Sequence, residues 1–173
     1  MNKKTLIAYA GNYDSTKEIA EHIAGIISEM GADVEVQSVE DTRNMESYDN
    51  LIIGSATRMD KLLGKTMRFA RRRAEQIRKK TTAYFVTCLT MKNDTPENRE
   101  KARSFLEPLC QIKKPVSMGL FGGKLEYNKV GFLGKTLSRQ DKTGSLAEGD
   151  FRNWEQISAW AREVGRIFVD DKC

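Results

Sequence analysis

Continuous apolar runs alternate with amphipathic stretches along the whole chain, and that alternation leaves few folds open. Lys4–Ala10, Asn50–Ala56, Ala83–Leu89 and Pro115–Phe121 read as strands, and Val34–Val39 as a shorter fifth with alternating polarity. Between them lie helical periods. Thr16–Met30 sets Ile19, Ala20, Ile23, Ile27 and Met30 on one face, with Gly31 as its stop. Leu63–Lys80 carries Leu63, Met67, Ala70, Ala74 and Ile77 at 4, 3, 4, 3 spacing. Thr95 and Pro96 are the residue types of a helix cap and first turn, and Asp150–Val169 turns Trp154, Ile157, Ala161, Val164 and Phe168 inward. Strands that are apolar on both faces need cover on both. The pattern therefore predicts an α/β fold, a doubly wound three-layer sandwich around a five-stranded parallel sheet. With 173 residues, no internal repeat and no linker-like stretch, residues 1–173 are expected to form a single domain.

The stretch Leu6–Ala20 is where chemistry is most legible. An apolar run ends in the polar turn Gly11-Asn12-Tyr13-Asp14-Ser15-Thr16, and a helix follows at once, with Ser15 and Glu18 spaced as a capping box. A strand that runs straight into a helix N-terminus offers unpaired N–H groups and the positive end of the helix dipole, which suits a phosphate. The glycines of a Walker A loop or a dinucleotide fingerprint are missing there. Gly64-Lys65-Thr66 and Gly134-Lys135-Thr136 look like Walker A endings, but Met59 and Lys129 occupy the leading glycine positions.

The turn resembles the phosphate loop of flavodoxins. Further stretches carry the likeness on: Tyr48-Asp49 before Leu51-Ile52-Ile53-Gly54-Ser55, then Phe121-Gly122-Gly123-Lys124-Leu125-Glu126-Tyr127. With Asp150-Phe151-Arg152-Asn153-Trp154-Glu155-Gln156-Ile157 and Trp160-Ala161-Arg162-Glu163, these look like the menaquinone-dependent protoporphyrinogen oxidase family, a branch of the flavodoxin superfamily. The resemblance implies FMN as a noncovalent cofactor, held where the loops Gly11–Thr16, Thr57–Gly64 and Thr90–Asp94 converge at the carboxyl ends of the strands. By the same resemblance, Gly11, Asn12, Tyr13, Asp14, Ser15 and Thr16 would surround the phosphate, with the Ser15 and Thr16 hydroxyls as donors. Ala56, Thr57, Arg58 and Met59 would line one side of the flavin ring, and Leu89, Thr90 and Met91 the other. Tyr13 either shields the ribityl chain or lies on the turn. The implied activity is that of an FMN-dependent oxidoreductase, dehydrogenating a porphyrinogen-type substrate with electrons passed to a quinone. The flavin carries the redox chemistry, so no catalytic side chain is named; Arg58 is the expected anchor for a substrate carboxylate. Two rival readings are a flavodoxin-type electron carrier serving an acidic redox protein, and a flavin-free interaction module.

The chain departs from flavodoxins in two ways. Asp14 stands where the phosphate turn favours glycine, and its carboxylate would face a phosphate. Two unit charges about 4 Å apart cost roughly 4 kcal/mol at an effective dielectric near 20, so weakened FMN binding is expected. The loops beside the ring hold no aromatic, offering Met59, Leu62 and Met91 instead, which leaves a ring face open to a planar substrate.

Charge sharpens the choice of partners. The chain carries +5, yet the stretch from Arg58 to Lys80 holds ten Lys/Arg against two acids, +8, leaving −3 for the remainder. Such a basic rim either attracts a small anionic substrate, a quinone-bearing anionic membrane surface or an acidic redox protein, or is a solvated helix face. No recognition motif accompanies it, so no nucleic-acid partner is expected. Three well-separated cysteines suggest a reducing cytoplasm, and no apolar run is long enough to span a bilayer, so any membrane contact would be peripheral, at the inner face. One histidine and no Cys-x-x-Cys argue against a metal site. His22 is expected on the surface, and Cys88 serves either packing or redox chemistry. The 26 residues Lys124–Gly149 form a long loop whose apolar and basic residues suit a flap over the flavin, a contact to membrane or quinone, an oligomer contact or a disordered excursion.

Overall fold

The computed structural model describes residues 3–126 and 148–170. Strands β1 (Lys4–Ala10), β2 (Asp33–Ser38), β3 (Asn50–Arg58), β5 (Thr81–Cys88) and β6 (Met118–Gly122) form a parallel sheet in the order β2-β1-β3-β5-β6. Ile7 lies beside Ile52, and Ile52 beside Ala83, so the apolar runs stack into a core buried on both faces. Helices α1 (Asp14–Glu29) and α6 (Trp154–Asp170) cover one face over Ile7, Ile52, Phe85 and Phe121. Helices α2 (Gly64–Arg72), α3 (Ala74–Arg78), α4 (Pro96–Phe105) and α5 (Glu107–Cys110) cover the other over Leu6, Ile53, Tyr84 and Val86. Strand alternation divides the apolar residues between the two layers.

Local chemistry explains where elements start and stop. Thr95 caps α4, its hydroxyl accepting the Asn98 N–H at 3.2 Å. Gly31, at φ +96°, ends α1 as its sequence position suggests. The stretch Leu63–Lys80 is not one helix: Arg73 (φ −108°, ψ 12°) separates α2 from α3. The expected loop after β3 is instead a tight hairpin, because Thr57 and Arg58 continue the strand and pair antiparallel with Leu62 and Lys61 of β4 (Lys61–Leu62). Its two turn residues, Met59 and Asp60, have φ of 52° and 57°. After β5 the chain makes a single 3-10 turn, Leu89–Lys92.

Gly54 of the central strand is needed for packing, since an added Cβ would lie 2.0 Å from the Phe85 ring. Gly122 is equally restricted, with the Phe151 carbonyl oxygen 2.1 Å from where a Cβ would sit. That contact holds β6 against β7 (Lys124–Leu125) and β8 (Gly149–Asp150), an antiparallel pair between the ends of the long loop. The flap suggested for Tyr127, Val130, Phe132, Leu133 and Leu137 lies outside the described residues. Two helix-face expectations are corrected at this end of the molecule. Trp154 opens α6 at 37% exposure and stacks with Arg152, 4.8 Å away, rather than packing inward. His22 is half-buried between α1 and α6, with Nε2 2.8 Å from the Ser158 hydroxyl and its ring edge-on to Trp154.

Candidate functional site

The carboxyl ends of β1, β3 and β5 and the chain just after β6 enclose a cavity of about 530 Å³, within the range of small-molecule sites. From the first loop it is lined by Asn12, Tyr13, Ser15 and Thr16; from the β3–β4 hairpin by Ala56, Thr57, Met59 and Asp60; and from β5 and its turn by Thr87, Cys88, Leu89 and Thr90. Lys101, Gly123, Lys124 and Leu125 complete it.

The first loop is built differently from a capping box. Tyr13 is the N-cap of α1, in extended conformation, and no side chain caps the helix. Glu18 is drawn off by Arg152, and Ser15, half-buried, lines the cavity instead. Among the described residues, the first turn of α1 thus meets the cavity with no capping hydrogen bond from its N-cap side chain. Thr16 is fully buried, its Oγ1 3.0 Å from Thr87 Oγ1, which ties the first turn of α1 to the end of β5. Gly11 does not line the cavity but shapes the turn: a Cβ there would come within 3.0 Å of both the Thr16 Cβ and the Tyr13 carbonyl oxygen.

Asp14 turns away from the cavity. It is exposed, stands in the first turn of α1 at the positive end of the helix dipole, and lines a small side recess with Glu18, Lys124 and Glu126. Arg58 is exposed and lies outside the cavity lining; among the described residues the cations that line it are Lys101 and Lys124. Lys101 pairs with Asp60 at 2.7 Å, joining α4 to the hairpin turn, and Lys124 pairs with Glu126 at 2.5 Å. Met91 is buried below the 3-10 turn as part of the core. Burial pushes the Cys88 thiol up from its ordinary value, against hydrogen bonds that favour the thiolate, so Cys88 is a neutral wall of the cavity at neutral pH.

The residues missed in sequence share a reason. Thr87 is a strand position with no motif around it, and Lys101 sits in the helix after the third loop, outside all three loop segments. Lys124 belongs to the Phe121–Tyr127 stretch that carried the likeness, and its place among the cavity-lining residues became visible only in the fold.

A family model described as the flavodoxin domain matches residues 6–140. The chain belongs to the flavodoxin domain family. It is similar to flavodoxin 1 from Bacillus cereus, with TM-score 0.61 and 20% identity over 99% of this chain and 100% of that one. A Fusobacterium nucleatum flavodoxin bound to flavin mononucleotide is likewise similar, at TM-score 0.59 and 17% identity over 96% of this chain and 99% of that one. Among characterised sequences, protoporphyrinogen IX dehydrogenase [quinone] of Escherichia coli strain K12 is 25% identical, over 95% of this chain and 96% of that protein. In this flavodoxin domain the cavity occupies the topological switch point between β1 and β3, where doubly wound sheets receive their ligands.

Proposed function

We propose that the chain binds FMN in this cavity and works as an oxidoreductase that dehydrogenates an anionic porphyrinogen-type substrate, with a quinone as acceptor. The uncapped start of α1 opening on a cavity of about 530 Å³ carries the reading, because it supplies both N–H donors for a phosphate and room for a ring. Membership of the flavodoxin domain family and the 25% identity to a quinone-dependent dehydrogenase along nearly the whole chain support it.

Each part of the cavity has a task in this reading. Backbone N–H groups of Asn12–Thr16 and the Ser15 hydroxyl hold the phosphate, with Lys124 as its counter-charge. Thr16 and Thr87 fix the loop to the sheet. Ala56, Thr57 and Met59 on one side and Leu89 and Thr90 on the other exclude water from the ring, and Tyr13 is the one aromatic among the described residues that line the cavity. Bound FMN supplies the redox centre, which none of these side chains can replace. Lys101 takes the substrate-anchoring task first expected of Arg58, because it lines the cavity and holds an exchangeable carboxylate partner in Asp60. The peripheral, cytoplasmic setting is part of the same proposal; no helix among the described residues is long and apolar enough to cross a membrane.

The test is an anaerobic assay of the FMN-loaded protein with protoporphyrinogen and a soluble quinone, followed by porphyrin fluorescence. Porphyrin that forms only when protein, FMN and quinone are all present is the expected result. A loaded protein that leaves the porphyrinogen untouched, yet after photoreduction of its FMN passes the electrons to an acidic redox protein, would return the chain to the electron-carrier reading.

A further inference from the structure

The basic run between Arg58 and Lys80 separates in three dimensions into paired and unpaired members. Lys80 is buried and donates to the Tyr48 carbonyl, Lys65 pairs with Glu40 at 3.0 Å, and Arg78 pairs with Glu75. Arg58, Lys61, Arg68, Arg71, Arg72 and Lys79 are exposed and form no ion pair among the described residues. Because α2 turns Phe69 and Ala70 to the core, Arg68, Arg71 and Arg72 stand on its outer side, with Arg58 and Lys61 on the hairpin before it and Lys79 at the end of α3. The hairpin runs directly into α2, so the row begins at the cavity rim, beside Met59, which is 88% exposed. The opposite layer has no counterpart: on α6, Arg162 and Arg166 alternate with Glu155, Glu163 and Asp170.

We propose that this outer face of the β3–β4 hairpin and of α2 and α3 docks on an anionic lipid surface. A protein interface has an apolar, often aromatic centre depleted of charge. Of the large apolar side chains exposed among the described residues, only Met59 lies on this face; Tyr13, Val116, Trp154 and Val169 lie elsewhere. A charged bilayer needs no such centre. Its attraction grows cation by cation within about a Debye length of the surface, and a single methionine at the edge can enter the headgroup zone. Docked in this way, the cavity rim at Met59 and Asp60 meets the layer in which a quinone dissolves. That link to a quinone rests on the reading above, whereas lipid binding is measured without FMN.

The experiment is co-sedimentation of the FMN-free protein with phosphatidylcholine vesicles, with and without phosphatidylglycerol, at low and high salt. Three proteins are compared: the natural chain, an Arg71→Glu/Arg72→Glu variant, and an Arg162→Glu/Arg166→Glu variant with the same net charge. The natural chain is expected to bind only vesicles containing phosphatidylglycerol and to release them in high salt. The α2 variant should bind at least about 30-fold less tightly, since losing each cation alone costs about a factor of five and each added carboxylate is repelled, while the α6 variant stays close to the natural chain. Equal weakening of the two variants would reduce the effect to net charge and overturn the proposal. Capture of polyglutamate without capture of vesicles would overturn it in favour of an acidic polypeptide. Parallel FMN titrations keep the readings apart: vesicle binding without FMN uptake defeats the flavin-dependent function and leaves the docking face, whereas FMN uptake without vesicle binding defeats the docking face and the peripheral setting and leaves the flavin site.

Discussion

With 5% of its side chain exposed, Arg152 gives two donors to Asp150, at 2.8 and 2.6 Å, reaches Glu18 on α1 and stacks with Trp154. One residue thereby fastens the neck of the long loop to the first turn of the helix beside the cavity. The pairing also holds the Asp150 carboxyl below the usual carboxylate range. Arg152→Ala would leave two carboxylates facing each other without their cation. The expected loss is about 1–3 kcal/mol in urea unfolding, below the cost of breaking a fully buried pair because both acids reach solvent. A loss under about 0.5 kcal/mol would show that the neck is held by its strand pairing alone. Tyrosines set the alkaline limit. Burial, above all, pushes Tyr84 and Tyr48 up to about 12, and Tyr84 also donates to the Lys113 carbonyl at 2.8 Å. The unfolded chain gives up these protons from about pH 10, while the folded chain keeps them. Stability should therefore fall as pH rises from about 10 to about 12. The urea midpoint followed across that window should drop less steeply in Tyr84→Phe than in the natural chain.

The hairpin formed by β3 and β4 carries the clearest strain among the elements. Type I′ turns want Asn-Gly, yet this one places Met59 and Asp60 at positive φ. A methionine in the left-handed region costs about 1–2 kcal/mol, and asparagine tolerates it better. Met59→Asn is thus expected to raise stability by roughly 0.5–1 kcal/mol; a lower melting temperature would mean that the methionine makes packing contacts worth more than the strain. The turn escaped the sequence reading because nothing in Arg-Met-Asp-Lys signals a hairpin. The strands, in contrast, were legible in their continuous Leu-Ile-Ile and Tyr-Phe-Val runs, since burial on both faces leaves no room for alternation. The Leu63–Lys80 period ran through the break at Arg73 because α2 and α3 turn the same apolar side to the core, and periodicity senses the buried side rather than backbone angles. The capping box failed for a long-range reason: Glu18 has a buried arginine, 134 residues later, as a stronger partner.

Across the whole molecule, the five parallel strands and their order bring three separate loops to one cavity, and each of those loops was identifiable beforehand. Hidden in the sequence were the parts that reach it from elsewhere: Thr87 beneath Thr16, Lys101 latched to Asp60, and Lys124 beyond the sheet edge. The same assembly leaves Asp14 out of the cavity lining and puts it in an adjoining side recess with Glu18, Lys124 and Glu126. The central claim, that α1 and its loop hold the phosphate of a flavin, is tested most directly by fluorescence titration of the flavin-free protein with FMN and, side by side, with riboflavin, which lacks the phosphate. FMN should bind more tightly by about 10–100-fold, the worth of one or two hydrogen bonds to a charged group, and Ser15→Ala should narrow that gap without weakening riboflavin. Equal affinity for the two flavins, or no quenching by either, would contradict it.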